Sequence, residues 1–170
     1  GHGFITNKVA KILCRNSKFL ALNAQSNASN VGYHSIQKYK NVDCVVMNEA
    51  ELRQELRDRN QKIFPLVKKL VDMINIDHLV ITRSSEGAIM YNKKIKKFYN
   101  SPAFATKVVD KVGAGDSMLS MLALTLKEKF DSDTSMFIGS LAAAINVEEI
   151  SNKVLLNKIK LLKYFYHSLK

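Results

Sequence analysis

Apolar positions along the chain follow two rhythms. Short unbroken apolar runs alternate with longer segments in which apolar residues return every three or four positions. The runs predict buried strands, and the spaced segments predict amphipathic helices. Ile5, Val9, Ile12 and Leu13 share one face of a helix over 5–16, with Lys8, Lys11 and Arg15 elsewhere. Residues 19–22 predict a short buried strand, 23–30 a polar loop and 31–39 a short helix. A second strand spans 44–47 and ends at Asn48, and 49–57 has a helical composition. A longer helix over 63–74 carries Val67, Leu70, Val71 and Ile74 as its stripe, and 78–82 is a third strand. The polar turn 83–87 leads into two runs, 88–91 and 95–99, which pair as a hairpin around Asn92-Lys93-Lys94. A glycine-paired loop at 112–116 then opens helices over 117–130, 133–145 and 152–168. Strand–helix–strand alternation predicts an α/β fold, a mostly parallel sheet flanked by helices. With no internal repeat or linker, 1–170 is predicted to be one domain.

Composition changes this picture little. The 170 residues are 46% hydrophobic, enough for an ordinary core and unlike a disordered or collagenous chain. No apolar run approaches the roughly 20 residues needed to cross a bilayer. Twenty-six Lys and Arg against fifteen Asp and Glu give a net charge of +11. The densest stretch is Lys93-Lys94-Ile95-Lys96-Lys97. No stacking aromatics are interleaved with the lysines, so a nucleic-acid partner is not predicted. Solvated outer faces account for most of the charge, and the field favours anionic small molecules. In the last helix Leu155, Ile159 and Leu162 line up with Lys153, Lys160 and Lys163 between them. Such a helix would suit an anionic membrane, but the stripe packs equally well on a sheet, and no membrane partner is predicted. Cys14 and Cys44 make neither a disulfide framework nor a zinc spacing, so a reducing, cytoplasmic setting with both thiols reduced is expected. His2, His34, His78 and His167 are scattered. Gly1-His2-Gly3-Phe4 has none of the basic, apolar and small-residue pattern of a secretory signal.

Most of the chemical information lies in Asp110-Lys111-Val112-Gly113-Ala114-Gly115-Asp116. Small residues ahead of a helix let backbone N–H groups converge on an anion, and the helix N-terminus adds partial positive charge. An acid at the end of such a loop would repel a resting phosphate. It makes sense as a base that takes the proton from a hydroxyl attacking that phosphate, while the amides stabilise the transferring phosphoryl group. The spacing suits equally well a plain glycine turn with Asp116 as a helix cap. No Gly-Lys-Ser/Thr follows, so it is not a Walker loop.

In this loop, with Gly113-Ala114-Gly115-Asp116 opening a long helix, the chain resembles the C-terminal signature of PfkB/ribokinase-type carbohydrate kinases. Asn48-Glu49-Ala50-Glu51 after one strand resembles the family's N-x-x-E, and Thr82-Arg83-Ser84-Ser85-Glu86-Gly87 after the next resembles its T-x-G-x-x-G. The resemblance implies a ribokinase-like fold and transfer of the ATP γ-phosphoryl group to a sugar hydroxyl. By the same resemblance, Asp116 is the general base, and Gly113, Ala114 and Gly115 are the anion hole. Asn48 and Glu51 organise Mg2+ and the nucleotide phosphates, largely through water. Thr82, Ser84 and Gly87 line the nucleotide site, and Asp110 with the Val112 carbonyl helps hold a monovalent cation such as K+. On their own, Asn48 reads as a helix cap and Glu51 as a surface acid.

Thr82-Arg83-Ser84 is similar to the T-R-S-x-x-G of bacterial heptose-phosphate kinases, which are often fused or paired with a nucleotidyltransferase. Gly1-His2-Gly3 resembles the end of their D-Y-x-K-G loop. A sugar or sugar phosphate, led by a heptose phosphate, is therefore the implied substrate, and a nucleotidyltransferase module the implied partner. Leu141 stands where the family often has Asn near the adenine, and Glu148, Glu149 and Asn152 replace a glycine-rich stretch. Family members are about twice this length. The chain is therefore expected to be the nucleotide-side half of a kinase, without the sugar-binding half and β lid, inactive alone and prone to self-associate. The alternative is a non-catalytic nucleotide- or phosphate-binding module acting through a partner protein.

Overall fold

The computed structural model describes residues 5–23, 35–149 and 156–168. Five strands lie in one sheet in the order β1 (Ala21–Asn23), β2 (Val42–Asn48), β3 (Ile76–Thr82), β4 (Ala88–Asn92) and β5 (Lys97–Ser101). β1 pairs parallel with β2, and β2 parallel with β3. The hairpin-connected β4 and β5 complete a mixed sheet in an α/β fold, as the alternation of elements predicts. The chain divides into two compact units, Gly1–Thr82 with Met90–Phe98, and Arg83–Ile89 with Tyr99–Lys170.

In the first unit, β2 and β3 are buried on both faces. Cys44, Val45, Val46 and Met47 are buried consecutively in β2, beyond a buried Val42 and a half-buried Asp43, and Leu79, Val80 and Ile81 are buried in β3. An unbroken apolar run is what a covered parallel sheet requires. Helix α1 (Asn7–Asn16) starts at Thr6, whose side chain accepts from Val9 N–H. Helix α2 (Glu49–Leu56) follows β2 directly, and α3 (Ile63–Ile74) has the bounds expected from its stripe. Leu66, Val67, Leu70, Val71 and Ile74 of α3 are buried, each contributing about 1.5–3 kcal/mol. Asn75 closes α3 in a left-handed conformation.

In the second unit, α4 (Ala114–Lys127) packs on α5 (Ser132–Val147). Met118, Leu122 and Leu126 are buried on α4, and Gly139 of α5 admits Met118 and Leu122 closely. A Cβ at 139 would stand 3.0 Å from Leu122 Cγ. Asp131 caps α5, its Oδ1 accepting from Thr134 N–H at 2.9 Å. Helix α6 (Lys158–Ser168) joins α5 through the edge-on pair Phe137–Phe165. No helix is long and apolar enough to cross a membrane among the described residues.

Several expected elements shift. The first strand is Ala21–Asn23, two residues later than the apolar run. Within 31–39 the described part is a single 3-10 turn, Ile36–Lys38, and the expected loop lies outside the described residues apart from Asn23. The last helix begins at Lys158, where Asn157 Oδ1 accepts from Lys160 N–H. Residues 152–155, with Lys153, Leu155 and Asn152, lie outside the described residues, as does Gly1-His2-Gly3. β5 starts at Lys97 because Asn92 Oδ1 accepts from the N–H groups of Lys94 and Ile95, holding both in the turn. The stripe of α1 is not a buried face. Ile5, Val9 and Ile12 are 37–50% exposed, and only Ala10 is buried.

Candidate active site

The predicted site residues fall into two groups, one in each unit. In the first unit, Asn48 and Thr82 are register partners at the C-terminal ends of parallel β2 and β3. That edge is where open α/β sheets bind ligands. Asn48 also caps α2. Its Oδ1 accepts from Glu51 N–H at 2.8 Å, and Glu51 Oε2 accepts from Asn48 N–H at 2.8 Å, a reciprocal capping box. Both residues thus have a folding role, and the box also fixes the direction of the Glu51 carboxylate. Arg53 pairs with Glu49 one turn on, at 2.8 Å.

In the second unit, the glycine loop is tighter than its sequence predicts. The helix starts at Ala114 rather than at 117, because Gly113 itself is the N-cap, in a left-handed conformation (φ 82°). Glycine adopts that conformation without the clash a Cβ would bring. It also has no side chain to occupy the first-turn N–H groups, and no side-chain cap forms. Ala114, Gly115 and Asp116 are therefore the first turn of α4. The first N–H groups of a helix have no partners within it and point along its axis, where they suit an anion. Asp116 is exposed and is the acid of this turn.

The segment leading into the cap is ordered by Asp110. Its Oδ1 accepts from Val112 N–H at 2.9 Å, and the N–H groups of Val109 and Asp110 both donate to the Val147 carbonyl at the end of α5. Ser84 and Gly87 lie in the 3-10 turn after β3, where Arg83 N–H donates to the Gly87 carbonyl at 2.7 Å. Lys111 joins this turn to the glycine loop, its ammonium donating to Ser84 Oγ at 3.2 Å. Sequence pattern gives Lys111 no prominence among 26 basic residues.

Two departures from the family pattern have structural roles. Glu148 Oε1 accepts from Thr106 N–H and Oγ1 at 2.6 and 2.8 Å, and its other oxygen accepts from Tyr164. Burial alone would raise the Glu148 carboxyl, but the bonds from Tyr164 and Thr106 outweigh it and hold the group below its ordinary value. Burial, and then that same bond, push the Tyr164 hydroxyl up to about 12. Glu149 pairs with Lys160. These acids tie α6 to α5. Leu141 is fully buried in α5 and offers nothing polar to a base.

No cluster of three or more His, Cys, Asp or Glu is placed to hold a metal ion among the described residues. One Glu51 oxygen is committed to the cap. The donor set suits a metal ion carried in on phosphate oxygens and water and does not suit one caged by protein.

A family model described as pfkB family carbohydrate kinase matches residues 5–156. The chain is 26% identical over 152 residues to the bifunctional protein HldE of Campylobacter fetus, covering 88% of this chain and 31% of that protein. It is 26% identical over 121 residues to an uncharacterized sugar kinase of Buchnera aphidicola, covering 70% of this chain and 38% of that one. The ribokinase of Thermotoga maritima superposes with a TM-score of 0.78 at 15% identity, over 94% of this chain and 53% of its own. Phosphofructokinase-2 of Escherichia coli gives 0.77 at 17%, over 95% and 52%. The chain thus spans about a third of this HldE relative and about half of the structural neighbours. The fold is ribokinase-like, and the chain belongs to the PfkB family of carbohydrate kinases.

Proposed function

We propose that this chain carries the nucleotide and phosphoryl-transfer side of an ATP-dependent sugar or sugar-phosphate kinase. The observation that carries the reading is the glycine-capped N-terminus of α4 with an acid in its first turn, inside the segment matched by the family model. Asp116 takes the proton from the acceptor hydroxyl as its oxygen attacks the γ-phosphorus. The N–H groups of Gly113, Ala114 and Gly115 face the charge on the transferring group. Mg2+ arriving with the nucleotide would screen phosphate charge, with Asn48 and Glu51 holding its water. Thr82, Ser84 and Gly87 are assigned to the nucleotide. Asp110 and the Val112 carbonyl are assigned to a monovalent cation, since the Val112 N–H bond fixes that carboxylate. A heptose phosphate is the leading substrate, supported by Thr82-Arg83-Ser84 and by the likeness to HldE proteins. The resemblance of Thr82-Arg83-Ser84 to kinases often fused or paired with a nucleotidyltransferase supports such a partner, the HldE relative being itself named bifunctional, and the proposed setting is cytoplasmic.

The test is Asp116→Asn in the enzyme that carries this chain. Turnover should fall about 10²–10⁴-fold while ATP binding persists, because Asn cannot accept the proton. A near-normal kcat in that variant would take the base role from Asp116.

A further inference from the structure

The segment that opens α4 contains a cation with no counter-ion. Lys111 is exposed, and among the described residues its ammonium has one partner, the neutral Ser84 hydroxyl. Four other cations sit on acids, Arg53 on Glu49, Lys93 on Asp72, Lys94 on Asp77 and Lys160 on Glu149, while Lys38 and Lys40 donate to backbone carbonyls. Glu86, close in sequence to Ser84, is taken by Arg83. Asp110 accepts from Val112 N–H at 2.9 Å.

Ser84 is itself unusual. Its φ of 54° is left-handed, a conformation that favours glycine. In the Thr-x-Gly pattern the chain resembles, this position is the glycine. The strained serine brings a hydroxyl that a glycine lacks, and Lys111 is bound to that hydroxyl. An ammonium has three donors, and here one is spent on a weak partner. The side chain is thereby tethered beside the α4 cap and loses less freedom when it meets an anion.

We propose that Lys111 is a ligand for the nucleotide phosphates, positioned by Ser84, and that it sets the preference for a triphosphate over a monophosphate. This rests on the phosphoryl-transfer reading of the loop. A fixed positive charge gains most against the species with most phosphate charge, so its effect grows from AMP to ATP.

The experiment titrates ATP, ADP and AMP by calorimetry into the 170-residue chain and into Lys111→Met, Lys111→Arg and Ser84→Gly. Glycine accepts the positive φ, so Ser84→Gly removes the tether without stressing the fold. Lys111→Met should weaken ATP about tenfold or more and AMP much less, narrowing the ATP/AMP ratio. Lys111→Arg should keep most of that ratio, and Ser84→Gly should fall between. Equal losses for ATP and AMP, no loss at all, or an arginine variant as poor as methionine would overturn the role of Lys111 and leave the nucleotide reading standing. A wild-type chain that binds none of the three nucleotides would overturn that reading, and this inference with it.

Discussion

His78 lies in β3 with both ring nitrogens engaged. Nδ1 is 3.2 Å from the Asp43 carbonyl, which only accepts, so Nδ1 bears the proton. Nε2 is 3.1 Å from Asn92 Nδ2. The Asn92 amide cannot turn over, because its oxygen already accepts from Lys94 and Ile95 N–H. A second proton on His78 would therefore meet a donor. Burial, foremost, lowers its pKa below the ordinary 6.5, and Lys94 adds to this. The Asp43 carbonyl and the charges of Asp77 and Asp43 pull the other way but lose. Between its native value and about 6.5 the unfolded chain holds a proton that the native chain does not. Stability is thus full above that range and falls as pH drops through it. The urea midpoint should decline from about pH 7 toward 5.5, and less steeply in His78→Gln. A wild-type midpoint flat across that interval would contradict the argument. None of this was legible from a lone histidine in a strand, since it depends on Asn92, fourteen residues away.

At the scale of elements, Gly87 shows how a motif residue can be structural first. Its φ is 78°, and a Cβ there would lie 2.0 Å from the Ser101 carbonyl oxygen and 2.6 Å from the Pro102 carbonyl carbon. Both obstacles are backbone, so the end of β5 would have to move. Gly87→Ala should cost about 2 kcal/mol or more, read as a lower urea midpoint with unchanged slope. A neutral substitution would mean that this approach is looser than described. Elements with one strong signal were legible throughout. The stripe of α3 gave its bounds, and the apolar runs of β2 and β3 lie within the strands found. Boundaries set by a single side-chain bond were not. The start of α4 depends on Gly113 taking a left-handed φ, the start of β5 on the Asn92 amide, and the start of α6 on Asn157. Hydrophobic periodicity is blind to such bonds. The face of α1 misled for a different reason. An apolar stripe states a preference for burial, and here Ile5, Val9 and Ile12 stay exposed. The candidate site was legible as motifs, and Asn48 as a helix cap, but the return bond from Glu51 to Asn48 N–H and the reach of Lys111 to Ser84 were not.

For the whole molecule, the shares covered decide what to expect of the chain alone. It matches 53% of a ribokinase and 31% of an HldE protein. If the acceptor sugar is positioned by residues beyond that share, the 170 residues would hold the proposed phosphate loop without the means to orient the hydroxyl. Lost positioning alone can remove about 7–11 kcal/mol of rate acceleration. The chain should show no sugar-dependent ADP release in a coupled assay across sugars and sugar phosphates. Robust release from a monodisperse sample would show a complete small kinase. The capping box at the start of α2 also bears on how such sequences diverge. A lineage without catalysis still needs α2 to begin at the end of β2, so selection for folding would preserve Asn48 and Glu51 whether or not they ever meet a nucleotide. Gly113 begins α4 without a side-chain cap, and under the proposed mechanism it is catalysis that would hold Asp116. Among descendants of this chain, an intact N-x-x-E would testify to a sound helix, and, if the proposed mechanism holds, the acid of the glycine loop to a working enzyme.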